Sequence, residues 1–275
     1  MLTLDILICT LNTRIVRIPD LLMPEKKGVN YIVSFQYTKD DYLKMIPESL
    51  EQRSDVMLVK LRGEGLSANR NYALSHATAD LVYLIDDDTR FLPDTVDTIL
   101  ETFEKDEKLD IAVFKTQSYA GKDVRQYESS ARVLDSFSDF LYVLTDDMVC
   151  RRARMVDYGL WFDARFGLGS HYLSCYEVQI LLADAHQHHF YIKYFPQPII
   201  QTSAIFLPRL IFVDAKVQRS FGALLYYYYG NMAFLKAFGF AFHAMRRKMA
   251  HFLPLFKHFM EGIFYLRGTR NRDMA

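Results

Sequence analysis

The sequence predicts an α/β protein built on a mostly parallel sheet. Apolar, β-prone runs recur through the first 120 residues, stretches of helical periodicity separate them, and glycine or proline punctuates the joins. A composition of 51% hydrophobic and 24% charged residues over 275 positions suits a folded chain with room for one large domain and an appendage.

Leu4 to Thr10 (LDILICT) reads as a buried first strand ending in Leu11-Asn12-Thr13. Val29 to Tyr37 and Asp55 to Leu61 are the next two strands. Gly63 and Gly65 break the chain, and Ser67 stands where a helix N-cap belongs, ahead of ANRNYALSHA. Leu81 to Ile85 is a fourth strand, Pro93 to Lys105 a helix and Ile111 to Thr116 a fifth strand. Helices between strands imply parallel βαβ units, whose ligands sit at the carboxyl ends of the strands, so Asn12, Gln36 and the acids after Ile85 share one edge. Residues 119–136 are polar, Ser138 to Cys150 is apolar, and Gly159 to Gly169 (GLWFDARFGLG) is a glycine-punctuated loop. A helix from about Tyr176 to Ala185 and a late strand from Phe190 to Phe195, closed by Pro196 and Pro198, complete a first region placed at 1–204.

Residues 205–275 form a second, helical region. From Ala204 onward there are 11 Lys/Arg against 3 Asp/Glu, leaving 22 against 30 before it, although the formal net charge is zero. A basic tail on an acidic body faces something anionic. With 16 Phe/Tyr in 72 residues, a membrane surface suits it better than nucleic acid. Phe252, Leu255, Phe256, Phe259, Ile263 and Leu266 fall on one helical face, and uncharged Ser220 to Leu235 is short for a span, so both are expected to lie in the interface; packing on the first region or a dimer contact is the alternative. The N-terminus lacks a basic segment and cleavage site, and three scattered cysteines (Cys9, Cys150, Cys175) show no disulfide framework. A cytoplasmic protein peripheral to the inner face of the plasma membrane is expected; its oligomeric state is open.

The most informative stretch is Tyr83 to Arg90 (YLIDDDTR), where an apolar strand runs into three carboxylates. Adjacent acids at the mouth of a buried strand repel one another and resist desolvation. A divalent cation on a phosphorylated ligand gives a reason for them, and oxygen ligands suit Mg2+ or Mn2+. An acidic turn after the strand, with an aspartate capping the next element, is the plain alternative.

The order of motifs is fairly specific: a strand ending in Thr10 and Asn12, then GLSANRN (65–71), LVYLIDDD (81–88), GLWFDARFGLG, and Ser174-Cys175-Tyr176-Glu177 opening a helix. Over roughly residues 4–203 this resembles the GT-A glycosyltransferases, specifically inverting family two. The resemblance implies sugar transfer from a nucleotide-sugar donor to a glycan or lipid-linked acceptor, with Mn2+ or Mg2+. It assigns Asp88 to the metal, Asp86 to the donor ribose or the metal shell, and Asp87 to sugar hydroxyls or to pointing away. Arg70 would pair with the diphosphate, Thr10 and Asn12 would lie near base or ribose, and Glu177 would be the catalytic base. Trp161 would stack on acceptor or donor sugar, or fill the core.

The sequence also departs from that family. Gln36 stands where an acid is usual, Tyr176 replaces the first acid of the acceptor motif, and Gln201-Thr202-Ser203 replaces a histidine, so a third metal ligand has no obvious source. His186, His188 and His189 read as exposed residues at a helix end. The competing functions are a catalytically degenerate membrane partner and a haloacid-type magnesium phosphatase, which wants another residue where Arg90 stands. A sugar nucleotidylyltransferase is disfavoured because CTLNTRIVRI is not glycine-rich.

Overall fold

The computed structural model describes residues 1–203 and 210–273. Its strands are β1 (Leu4–Leu11), β2 (Val29–Tyr37), β3 (Val56–Arg62), β4 (Leu81–Asp86), β5 (Thr89–Phe91), β6 (Ile111–Ser118), β7 (Arg132–Val133), β8 (Met148–Arg151) and β9 (Ile192–Thr202). They form one mixed, mostly parallel sheet in the order β3-β2-β1-β4-β8-β6-β9-β5, with β7 also paired to β9. The helices are α1 (Glu48–Gln52), α2 (Leu66–His76), α3 (Thr95–Lys105), α4 (Phe137–Phe140), α5 (Arg152–Asp157), α6 (Glu177–Gln187), α7 (Leu210–Val213), α8 (Ala215–Tyr229), α9 (Ala233–Arg246) and α10 (Phe252–Asp273).

The central strands β1 and β4 are apolar on both faces because helices cover both. Leu7, Cys9, Val82 and Leu84 face α2 and α6, whereas Ile6, Ile8, Tyr83 and Ile85 face α3 and a 3₁₀ stretch after β1. β3, at the sheet edge, exposes Met57, Lys60 and Arg62.

Three local expectations need correction. β8 lies within a stretch that its sequence marks only as apolar; four residues long, it runs antiparallel between β4 and β6 and is fixed by its neighbours rather than by its own pattern. β9 does not stop at the prolines but continues to Thr202, and the β6 pairing absorbs them by shifting register around Lys115, which faces Pro198. Ser67 does not cap α2. Gly65, at φ +122°, precedes the helix, and Ser67 Oγ donates instead to the Phe166 carbonyl at 2.7 Å.

The C-terminal helices form a third core with Phe166, Leu173 and Ile180 of the first region. Leu255, Phe259, Ile263 and Leu266, expected at a membrane, are buried in that core, with Phe252 and Phe256 partly buried beside them. The expected 220–235 interfacial helix is divided: α8 buries Ser220 to Leu225 and ends at Tyr229, with Gly230 breaking the chain before α9. The junction placed at 204–205 lies outside the described residues. No helix among them is long and apolar enough to cross a membrane.

α8 and α10 touch backbone to backbone through two glycines. A Cβ at Gly222 would collide with the Phe259 carbonyl, and one at Gly262 with that of Arg219. Gly262→Ala is therefore expected to cost about 3 kcal/mol, the upper end for overpacking, because helix backbone cannot yield as a side-chain tip can. Thermal unfolding checks it, and a melting point equal to wild type would mean that the helices separate freely.

Candidate functional site

The carboxyl ends of β1, β2 and β4 lie side by side, with Cys9 in register with Asp86 and Leu11 with Gln36. At this edge the acid triplet splits by direction. Asp86 ends β4 with its side chain 39% exposed, Asp88 is partly exposed, and Asp87 turns inward at 4%. The Asp87 carboxylate accepts from Thr10 Oγ1 at 2.7 Å and pairs with Arg14. Burial pushes its carboxyl above the usual range, although Thr10 and Arg14 act the other way.

Thr10 thus anchors the triplet to β1. Asn12, at φ +51°, accepts from the Thr38 amide (2.9 Å) and hydroxyl (3.2 Å), tying the end of β1 to the loop after β2. Asn69, buried on α2, accepts from Ser34 Oγ at 2.6 Å and donates to the Ser34 carbonyl at 3.2 Å. These contacts hold the start of α2 against the sheet edge.

From that helix Arg70 reaches the centre of the site. Its Nη2 donates to Asp86 Oδ1 at 2.9 Å and its Nη1 to Glu177 Oε1 at 2.8 Å. The guanidinium is 3% exposed, so it joins two carboxylates 91 positions apart rather than standing free toward solvent. Burial alone would lower the Arg70 pKa, but Asp86 and Glu177 outweigh it and hold the value above the ordinary one.

Glu177 is the first residue of α6 and is 13% exposed. Tyr176, in the left-handed region at φ +76°, turns the chain so that Glu177 enters the helix facing Arg70. That backbone costs a tyrosine about 1–3 kcal/mol. Its ring lies 5.8 Å from that of Phe221 on α8, so the C-terminal core helps to hold the turn that aims Glu177. The glycine loop closes the other side. Leu168 accepts from the Leu66 amide at 2.8 Å, and Gly167 passes so near that a Cβ there would stand 2.7 Å from Ser67 Oγ and 3.4 Å from Glu177 Oε2. Asn71 pins the same loop by two 2.8 Å bonds to the Phe162 backbone. Trp161, next to that pin, is 38% exposed and stands at the surface. A cavity of about 620 Å³ lined by Glu64, Leu168, His171, Cys175, Asp214 and Lys216 adjoins the loop.

Asp88 Oδ2 accepts from Ser203 Oγ at 2.9 Å, so the Gln201-Thr202-Ser203 segment does reach the triplet. Among the described residues no three His, Cys, Asp or Glu side chains form a cage for a metal ion. Magnesium and manganese commonly bind through one or two carboxylates plus ligand phosphates, and Asp88, partly exposed and next to the Ser203 hydroxyl, fits that donor set. Asp86 has one oxygen engaged by Arg70, which leaves the other for a cation.

One contributor went unnoticed in the sequence. Asp146, 5% exposed, accepts from the Asp86 amide at 2.9 Å through Oδ1 and so fixes the backbone where β4 ends. Burial and then the nearby Asp86 push its carboxyl well above the usual range. Thr145-Asp146-Asp147 comes after an apolar stretch much as the triplet does, which was the available signal. His186, His188 and His189 are exposed around the end of α6.

Residues 11–157, just over half of the chain, match the family described as Glycosyl transferase family 2. Among solved structures, a crystal structure of S. aureus TarS 1–349 aligns over 95% of this chain and 81% of its own, with a TM-score of 0.64 and 14% identity. TarS 1–349 in complex with UDP-GlcNAc aligns over 82% and 66%, with a TM-score of 0.60 and 16% identity. In a longer TarS chain the match spans 40% of that protein, with a TM-score of 0.57 and 17% identity. At such identities the likeness is one of fold, the GT-A α/β arrangement. A comparison with curated proteins found no match.

Proposed function

We propose that this chain, which belongs to glycosyl transferase family 2 and is a glycosyltransferase, moves a sugar from a nucleoside diphosphate donor to a hydroxyl of a glycan or lipid-linked acceptor, with inversion at the anomeric carbon. The observation that carries this reading is the Arg70 bridge: one buried guanidinium holds Asp86 of the triplet and Glu177 at fixed separation. In this reading Asp86 lies on the donor side and Glu177 on the acceptor side.

In the proposed reaction the acceptor oxygen forms a bond to the anomeric carbon as the bond from that carbon to the diphosphate breaks, and the electron pair leaves with the phosphate. Glu177 takes the acceptor proton. No side chain serves as a covalent nucleophile, so a single displacement inverts the centre. Arg70 keeps one Glu177 oxygen, Oε1, in place, and Oε2 lies on the side of Gly167. Asp86, partly exposed at the end of β4, faces the donor. Asp88, helped by Asp86, would hold Mn2+ or Mg2+, which when bound supplies Lewis-acid neutralisation of the leaving diphosphate. Asp87, locked inward by Thr10 and Arg14, supports the other two acids without meeting the donor. Trp161, exposed on the pinned loop, is the proposed stacking surface for an acceptor sugar.

The test begins with a panel of nucleotide sugars, UDP-GlcNAc first because a neighbour in fold binds it. Release of nucleoside diphosphate is expected with one of them; release of inorganic phosphate instead would identify a phosphatase. Asp88→Ala is expected to melt like wild type yet lose the gain in donor affinity that manganese confers, by at least about tenfold. Titration calorimetry with and without the metal reads it, and an unchanged gain would remove Asp88 from that role.

A further inference from the structure

Helix α9 is apolar on the side away from its core. Ala233, Ala237, Ala241 and Ala244 face inward and are buried, and these small residues draw the helix against α8 and α10. Leu235, Phe238, Phe242 and Met245 face outward at three- and four-residue spacing, and Met249 lies just beyond the helix end. All five are 40 to 64% exposed. Phe238 lies 5.3 Å from Phe252 and 6.3 Å from Phe242, ring to ring, and Leu253 and Phe264 of α10 are also exposed, so the apolar surface continues across two helices. Scattered surface apolars need no explanation, but a contiguous stripe of large ones marks a docking face.

Charge decides what docks there. Between Asp214 and Glu261 the sequence holds no acid, while Lys236, Arg246, Arg247 and Lys248 are all exposed along or just past α9. A second copy would bring these cations against their own counterparts. An anionic lipid surface accepts both features at once, with the aromatic and aliphatic side chains among acyl chains and the cations at headgroup level. We infer that the outer face of α9, extended by Leu253 and Phe264, seats the protein on an anionic bilayer, with α9 lying parallel to it. The face predicted from sequence on α10 is core, and the membrane face is the neighbouring helix. This inference does not depend on the reaction proposed above.

The test is flotation of the whole chain with vesicles of phosphatidylcholine alone or mixed with phosphatidylglycerol. Wild type should float with the mixed vesicles and far less with the neutral ones. Phe238→Ser combined with Phe242→Ser should lower partitioning by at least about tenfold. Combining Arg246→Gln, Arg247→Gln and Lys248→Gln should remove the anionic preference, at about fivefold per charge. Both variants alter exposed positions and should melt and release donor nucleotide as wild type does. Wild-type flotation by the double variant, or no flotation by wild type, would overturn the inference. So would equal binding to both vesicles, or a solution dimer by light scattering that the double variant abolishes; the latter would assign the stripe to a second copy.

Discussion

Glu177→Gln is expected to lower kcat for sugar transfer by about 10²–10⁴-fold, the usual contribution of a general base, while donor affinity stays near wild type. The substitution is close to isosteric. Its amide oxygen can still accept from Arg70 Nη1, which now donates to Glu177 Oε1 at 2.8 Å, and glutamine suits the first turn of α6. What is lost is the ability to take a proton from the acceptor hydroxyl. Binding of a nucleotide sugar should therefore persist in calorimetry while transfer fails. Glu177→Asp sharpens the case: it keeps the carboxylate but withdraws it by one methylene from both Arg70 and Gly167. It should retain more activity than Glu177→Gln if proton transfer is the issue, and less if side-chain length and packing are. Full turnover by Glu177→Gln would move the base to another residue and leave Glu177 only as the partner of Arg70.

How far the sequence could be read depends on what each residue answers to. β1, β2, β4 and β6 were legible because a strand covered on both faces needs a continuous apolar run, whatever its neighbours. β8 was not, since four residues between β4 and β6 become a strand only when those two are already in place. The extension of β9 through Pro196 and Pro198 depends likewise on the irregular register with β6. The sheet edge that carries Asp86, Asp87 and Asp88 could be placed from strand order alone, but the inward turn of Asp87 depends on Thr10 and Arg14 from another strand end. For α10 the period correctly marked an apolar face, yet a stripe that enters a protein core and one that enters a bilayer have the same period. α9 misleads further, because its buried side is alanine and its larger apolar residues face out. Arg70 is expected to pair with a diphosphate because a helix-start arginine is well placed for one. Nothing in its own segment reveals a carboxylate 107 positions away.

That last contact makes Arg70→Met the most disruptive single change expected in the site. The guanidinium now stands between Asp86 and Glu177, 3% exposed, and a methionine of similar length fills its space without charge or donors. Removing one member of a buried ion pair typically costs about 3–5 kcal/mol, here chiefly because Glu177, 13% exposed, stays desolvated and unpaired, whereas Asp86 can turn to water. In a chain of this size that is a fall in melting temperature on the order of 10 °C. Transfer activity should be lost as well, since neither Glu177 nor Asp86 retains the contact that fixes it. Arg70→Lys separates charge from geometry: a single ammonium cannot place two nitrogens on two carboxylates, so it should recover part of the stability and little of the activity. The deciding measurement is a double-mutant cycle. If Arg70 holds Glu177, then Arg70→Met made in a Glu177→Gln background should cost clearly less stability than in wild type, because no unpaired glutamate charge remains, while activity stays absent. Additive losses would show that the two side chains do not depend on each other in solution, and the coupling of donor and acceptor sides through Arg70 would have to be given up.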